Sequence, residues 1–299
     1  MVFAIALLST TLPAAERPNI LFIFSDDHSL QTIGAYETWL APFCREHKLT
    51  PNIDRLAAQG ALFTRSYCGN SICSPSRATV LSGVHTHVSG VTHLGGRIRE
   101  GVWTFPPALQ AAGYQTAIIG KWHMGQNPQG FDHYSILPGQ GSYWNPDFLK
   151  HDGTKESETG YATDVITRKA LDWLRGRDPA KPFLLMCHHK APHRNFQPPV
   201  RYFRYLEDVT IPEPATLFDD YAGRGQAARE QKMEIGRDMS LSGDLKVLPA
   251  GQHPKFLTGS DAEEWEATYG RRNEAFRQAG LEGRELTRWK YQQYMKDFM

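Results

Sequence analysis

The sequence predicts an α/β protein with a mainly parallel central sheet flanked by helices. Apolar runs of strand length alternate with amphipathic segments of helix length, which is the pattern of strands joined by helical crossovers. Residues able to do chemistry recur directly after the strand-like runs, where open α/β sheets bind their ligands. A chain of 299 residues that is 40% hydrophobic can also bury a substantial core, as one large domain or two smaller ones.

The elements follow in order. Residues 19–25 form a continuous apolar run that ends on Asp26 and Asp27. Thr50 caps a helix that has Pro51 at its first position and Gly60 past its end, and residues 61–67 read as a second strand. Ser74 is a good N-cap and Pro75 suits the first helical position, so a helix follows Cys73, carries Arg77 and stops at Gly83. A helix over residues 106–112 ends at Gly113, and residues 115–119 make a strand running into Gly120, Lys121 and His123. Val165, Ile166, Ala170, Trp173 and Leu174 define a helical face, and residues 183–187 lead as a strand to His188, His189 and His193. Residues 126–160 and 194–260 are rich in Gly, Pro and polar groups and read as long loops over the sheet edge and site. Leu286, Trp289, Tyr291, Met295 and Phe298 fall mostly on one side of a closing amphipathic helix.

Composition limits the partners. Thirty-three basic residues against 32 acidic ones give a net charge of +1, so there is no global field for nucleic acid or an anionic membrane, and anion binding must be local. No segment has the ~20 apolar residues of a membrane span. Residues 1–15 resemble the later part of a secretory signal, without a basic n-region and with Pro13 unfavourably near the cleavage point, so export is expected. Four cysteines are too few to build a disulfide scaffold.

Cys73 is the reactive atom of the sequence. Beside a helix N-terminus it faces free N–H groups and the positive end of the helix dipole, which favour a bound anion and a lowered thiol pKa. The competing reading is a local disulfide with Cys68 or an inert buried thiol. The adjacent carboxylates of Asp26 and Asp27 suit calcium or magnesium better than zinc, and can reach one ion only where the strand has ended.

Five segments together resemble the type I sulfatases of the alkaline phosphatase-like superfamily. They are Cys73-Ser74-Pro75-Ser76-Arg77 continued by Leu81-Ser82-Gly83, the run from Pro18 through Asp26-Asp27-His28, Thr50-Pro51-Asn52-Ile53-Asp54-Arg55-Leu56-Ala57, Gly120-Lys121-Trp122-His123-Met124-Gly125, and Lys190-Ala191-Pro192-His193. The resemblance covers the first two thirds of the chain and thins beyond about residue 220. It implies that residues 16–299 are the N-terminal portion of a sulfatase catalytic domain whose C-terminal part is missing, and that the isolated chain is weakly active or inactive.

The same resemblance implies the chemistry. Cys73 is converted to Cα-formylglycine by a formylglycine-generating enzyme, and Asp26, Asp27 and an oxygen of residue 73 bind calcium. Arg77 and Lys121 orient and neutralise the modified residue and the sulfate, His123 contacts its diol, and His193 contacts the sulfate or protonates the leaving oxygen. The family's later metal ligands are expected beyond Met299, since Asp219-Asp220 follows no strand. His85, His87, His133, His188 and His189 are read as surface or structural groups. The substrate implied is a sulfated carbohydrate of glycosaminoglycan or mucin type, N-acetylglucosamine 6-sulfate in particular, with Tyr143, Trp144 and Asn145 either holding the sugar or packing their loop. The alternatives are a phosphonate or phosphate ester hydrolase of the same superfamily, or a non-catalytic binder of sulfated glycans.

Overall fold

The computed structural model describes residues 17–299, so the signal-like segment 1–15 lies outside the described residues. A six-stranded mixed sheet runs in the order β1-β6-β2-β3-β4-β5. Its strands are β1 (Ile20–Phe24), β2 (Gln115–Lys121), β3 (His133–Leu137), β4 (Asp147–Lys150), β5 (Lys155–Ser157) and β6 (Phe183–His188). The first four in spatial order, β1, β6, β2 and β3, are parallel, and β4 and β5 complete the sheet antiparallel.

Helices cover both faces because the central strands are apolar on both sides. Ala117 and Ile119 of β2 and Leu185 and Cys187 of β6 pack with Val165, Ile166 and Ala170 of one long helix (Ala162–Gly176). The alternate residues Ile118, Leu184 and Met186 pack on the other face with Leu81 and Trp122. In chain order the helices are α1 (Ala41–Glu46), α2 (Pro51–Gln59), α3 (Cys73–Ser82), α4 (Thr86–Ser89), α5 (Phe105–Ala111), α6 (Ala162–Gly176), α7 (Gln226–Glu230), α8 (Ile235–Asp238), α9 (Ser260–Trp265), α10 (Arg271–Ala279) and α11 (Gly283–Phe298). α11 buries Tyr291 and Met295 against Leu40, Phe43 and Leu206, which ties the last helix to α1.

Three expectations are corrected. Residues 61–67 form no strand: they pair with no other segment and leave Phe63 and Tyr67 exposed. Residues 126–160 are not a loop, since they contain β3, β4 and β5, short strands whose Gly-rich flanks conceal them in the sequence. α3 begins at Cys73 itself with Ile72 as its cap, because the Ser74 hydroxyl is engaged elsewhere, donating to the His123 carbonyl (2.5 Å) and accepting from Gly95 N–H (2.9 Å). The C-terminal stop of α3 is where the sequence puts it, at Gly83 with φ +69°.

Gly120 decides how closely the two central strands approach the site. It sits in β2 at φ +105°, opposite His188, and a Cβ there would lie 1.9 Å from the His188 carbonyl oxygen. Gly120→Ala therefore meets backbone on one side and a disfavoured φ on the other, and is expected to cost at least ~2 kcal/mol in urea unfolding. A variant as stable as the wild type would show that β2 and β6 are not so tightly apposed.

Candidate active site at the carboxyl ends of the parallel strands

Parallel pairing brings four strand ends to one edge. β1 leads into Asp26 and Asp27, β2 ends on Lys121 and leads to His123, β3 leads to Gln140, and β6 ends on His188 before Lys190 and His193. The Asp26 N–H donates to the Ala191 carbonyl (3.1 Å), which fixes the end of β1 to the loop after β6. Asp27 has φ +61°, so the chain leaves strand geometry there. Asp26 is consequently buried, while Asp27 stays half exposed with Oδ2 3.5 Å from His193 Nε2.

Asp26 is the hub. Lys121 Nζ donates to its Oδ2, Arg77 Nη2 lies 3.5 Å from Oδ1, and the Cys73 thiol is 3.6 Å from Oδ1. Burial alone would push the Asp26 carboxyl up, but the Lys121 and Arg77 charges outweigh it and hold the group below the ordinary carboxylate range. Arg77 is itself buried, donating from Nη1 to the Lys121 carbonyl (2.6 Å) and lying 5.2 Å from the centre of the Phe24 ring. His188 Nδ1 is 3.0 Å from the same Nη1, and burial together with the Arg77 charge keeps that imidazole neutral. His123, at φ +52°, is pushed down to about 4 by burial and then by the Lys121 and Arg77 charges, so it is neutral at physiological pH.

The structure thus gathers Asp26, Cys73, Arg77 and Lys121 in one cluster, with His123 in the field of its charges and Asp27 joined to it through His193. All four cysteines are free, so the disulfide alternative for Cys73 and Cys68 does not hold. The expected lowering of the Cys73 thiol is reversed: burial pushes it up and the Asp26 carboxylate adds to that, against the weaker pull of Lys121. Asp219 pairs with Arg224 and Asp220 accepts from Ala222 N–H, away from the cluster.

Three polar residues were given no role of their own by the sequence reading, although Gln140 and Lys190 lie in segments 138–146 and 189–194, which resemble carbohydrate sulfatases. Gln140 reaches in from the segment taken for a loop, and its Oε1 accepts from Lys121 Nζ (2.5 Å). Lys190, inside the Lys-Ala-Pro-His segment, donates to the Gln140 carbonyl (3.1 Å) and lies 4.8 Å from the centre of the Tyr143 ring. Burial, followed by repulsion from Lys121, pushes the Lys190 ammonium down to about 8. Asp244 is fully buried and accepts two 2.6 Å bonds from Arg194, so it anchors the residue next to His193. Gly-Gln-Gly after a strand was the one available signal for Gln140; nothing local marks Asp244. Tyr143, Trp144 and Asn145 make contacts within the protein: the Tyr143 hydroxyl donates to the His193 carbonyl (2.5 Å), Trp144 stacks on Phe256, and Asn145 Oδ1 accepts from Gly160 N–H.

As a metal centre the donor set is partial. A carboxylate oxygen of Asp26, Cys73 Sγ and a ring nitrogen of His193 lie within 4.8 Å of one another. Two carboxylates suit a hard divalent cation in kind, and an oxygen in place of Sγ would suit it further, yet calcium takes six to eight oxygens and this set is short in number.

Three cations, a neutral imidazole and a cysteine at the first turn of a helix thus meet at one edge of the sheet, beside the Asp26 and Asp27 carboxylates. Residues 18–232 match the family model described as Sulfatase, and the chain belongs to that family. It is 44% identical to an N-acetylglucosamine-6-O-sulfatase of Bacteroides thetaiotaomicron over 99% of this chain and 55% of that protein. It is 28% identical to the N-acetylgalactosamine-6-sulfatase of Homo sapiens over 78% of this chain and 48% of that one. The chain therefore spans about half the length of these curated relatives. The structure of BT4656 in complex with its substrate D-glucosamine-2-N,6-O-disulfate superposes with a TM-score of 0.87 at 43% identity, covering 95% of this chain and 58% of that one. The phosphonate monoester hydrolase of Agrobacterium radiobacter shares the fold, with a TM-score of 0.55 at 20% identity over 88% of this chain and 60% of its own.

Two predictions follow from these positions. In an iodoacetamide time course read by peptide mass spectrometry, exposed Cys68 labels first at pH 7.5, and the rate at half-buried Cys73 keeps rising above its ordinary pKa of 9.0. Asp244→Asn should cost about 2 kcal/mol at pH 7 by removing a charged hydrogen-bond acceptor. Burial raises the Asp244 carboxyl, but the Arg194 and Ser240 hydrogen bonds prevail and its folded pKa lies below 3.8. The deficit of the variant is therefore full near neutrality and shrinks as pH falls through that folded pKa, which urea unfolding at pH 7, 5 and 3 would check.

Proposed function

We propose that this chain is the N-terminal portion of the catalytic domain of a sulfuric ester hydrolase that removes the 6-O-sulfate from a glucosamine unit of a glycosaminoglycan or mucin-type carbohydrate. The observation that carries the reading is the 44% identity, maintained over 99% of the chain, to an N-acetylglucosamine-6-O-sulfatase. The superposition on BT4656, whose substrate is a 6-O-sulfated glucosamine, supports the same substrate class. Export to the periplasm or beyond fits residues 1–15, and among the described residues no helix is long and apolar enough to cross a membrane.

Each residue has a task that its surroundings suit. Cys73, oxidised by a formylglycine-generating enzyme and hydrated, supplies a geminal diol, one hydroxyl for attack on sulfur and one for subsequent release of sulfate. Asp26, Asp27 and the oxygen of residue 73 would hold calcium, which supplies charge neutralisation and acidity at that hydroxyl. Lys121 offers a sulfate oxygen an ammonium that never faces water, and so acts in a low dielectric. Arg77 keeps Asp26 ionised and the end of β2 in place. His123, neutral near pH 7, can accept a proton from the diol, and His193, at the mouth beside Asp27, can deliver one to the leaving alcohol.

The test is ion chromatography of sulfate released from D-glucosamine 6-sulfate by the full-length protein that contains this chain, co-expressed with a formylglycine-generating enzyme and supplied with calcium. Release above that from a phosphonate monoester, abolished by Cys73→Ala and by chelation, is expected. Faster phosphonate turnover, or saturable binding of sulfated sugar with no release from verified formylglycine protein, would overturn the assignment.

A further inference from the structure

Lys121 is held by two acceptors, and one of them has no assigned role. Its ammonium carries three N–H donors and no acceptor capacity. One is directed to Asp26 Oδ2, one to Gln140 Oε1 at 2.5 Å, and Cys73 Sγ lies 3.6 Å from Nζ. The donors are tetrahedral about one nitrogen, so two fixed hydrogen bonds set the direction of the third, and here it faces residue 73. Lys121 has no exposed surface, so water cannot replace a lost acceptor. The amide must turn its oxygen toward Nζ, since an NH2 group facing an ammonium would set donor against donor.

The Gln140 segment is built to make this contact. Just beyond Leu137 the chain turns at Gly139 (φ +54°), and the Gly141 N–H donates back to the Pro138 carbonyl (2.9 Å). Gly141 has φ +67° and no room for a Cβ, which would lie 2.6 Å from a Leu137 methyl. The turn is held from the other side by Lys190, whose Nζ donates to the Gln140 backbone carbonyl (3.1 Å). Gln140 thus links two lysines from two different strand ends, one through its side chain and one through its main chain.

We propose that Gln140 is a positioning residue that, together with Asp26, aims the ammonium of Lys121 at residue 73 and at the oxyanion formed there, with Lys190 locking Gln140 in register. Only the kinetic part of this rests on the sulfatase reading. The hydrogen-bonding part is independent of any activity.

The experiment is side-chain NMR of the full chain labelled with 15N at lysine Nζ, on wild type, Gln140→Leu, Gln140→Met and Gln140→Glu. Wild type should give a slowly exchanging Lys121 ammonium, assigned by its loss in Lys121→Arg. Leu and Met keep the bulk of Gln140 without the acceptor, and should speed that exchange by about tenfold or more, while Glu retains it. Lys246, whose Nζ is bonded to Asp297, Asp244 and Asn195, serves as the internal control for an intact fold and should stay protected throughout. In formylglycine protein turning over D-glucosamine 6-sulfate, Gln140→Leu should lower kcat about tenfold with KM within about twofold, and Gln140→Glu should restore most of it. No protected Lys121 signal in wild type, or equal protection in Gln140→Leu and Gln140→Met with Lys246 intact, would overturn the proposal. Absence of turnover by the full-length wild-type protein with the Lys121 result as expected would remove the sulfatase reading and leave the Gln140 contact supported.

Discussion

Everything at the carboxyl edge of this sheet depends on one buried carboxylate. Asp26 accepts from Lys121, neighbours Arg77, and sits against the Cys73 thiol, so it joins the end of β1, the end of β2 and the first turn of α3. Without that counter-ion the burial of Lys121 and Arg77 would leave unpaired charges, each costing several kcal/mol. Two cations share the Asp26 carboxylate, and Lys190 adds a third positive group nearby. The edge is left with an excess of positive charge in a site largely shielded from water, although the chain as a whole carries only +1. That is how a nearly neutral protein can attract an anion at one point.

The same crowding explains the unusual backbone. Gly120 allows the β2 main chain to touch the carbonyl of His188, and this close approach lets Lys121 and His188 share the space around Arg77. Asp27 and His123 leave strand geometry with positive φ directly after their strands, so successive side chains no longer alternate between faces. Asp244, far along the chain, reaches the cluster from the other direction by fixing Arg194 beside His193. The last third of the chain contributes supports rather than donors, and the described donors come from residues 26 to 193.

Much of the fold was legible because the parallel strands β1, β2 and β6 are continuous apolar runs bounded by polar residues. β4 and β5 were not, being short, polar-flanked strands that exist only by pairing with β3 and each other. Residues 61–67 failed in the opposite sense, since strand propensity depends on packing partners and these residues leave Phe63 and Tyr67 exposed. Asp26, Asp27, Lys121 and His123 were readable because they follow strand ends closely, and Cys73 and Arg77 because they open a helix that stops at Gly83. Gln140 and Asp244 were not, because their roles arise from contacts with Lys121 and Arg194 that no local pattern encodes. The direction of the Cys73 thiol was misjudged for a similar reason: the helix N-terminus is visible in sequence, whereas burial beside Asp26 is not.

The most direct test of this account is a double-mutant cycle on the buried pair, with Asp26→Asn, Lys121→Met and the double variant compared with wild type by urea unfolding. If Asp26 exists to keep Lys121 buried and charged, Asp26→Asn strands Lys121 and loses about 3 kcal/mol or more, Lys121→Met loses less because Arg77 still pairs with Asp26, and the double variant loses clearly less than the sum of the two. Additive losses would contradict the account, since they would mean that the two residues are stabilised independently and that the carboxylate does not organise the site.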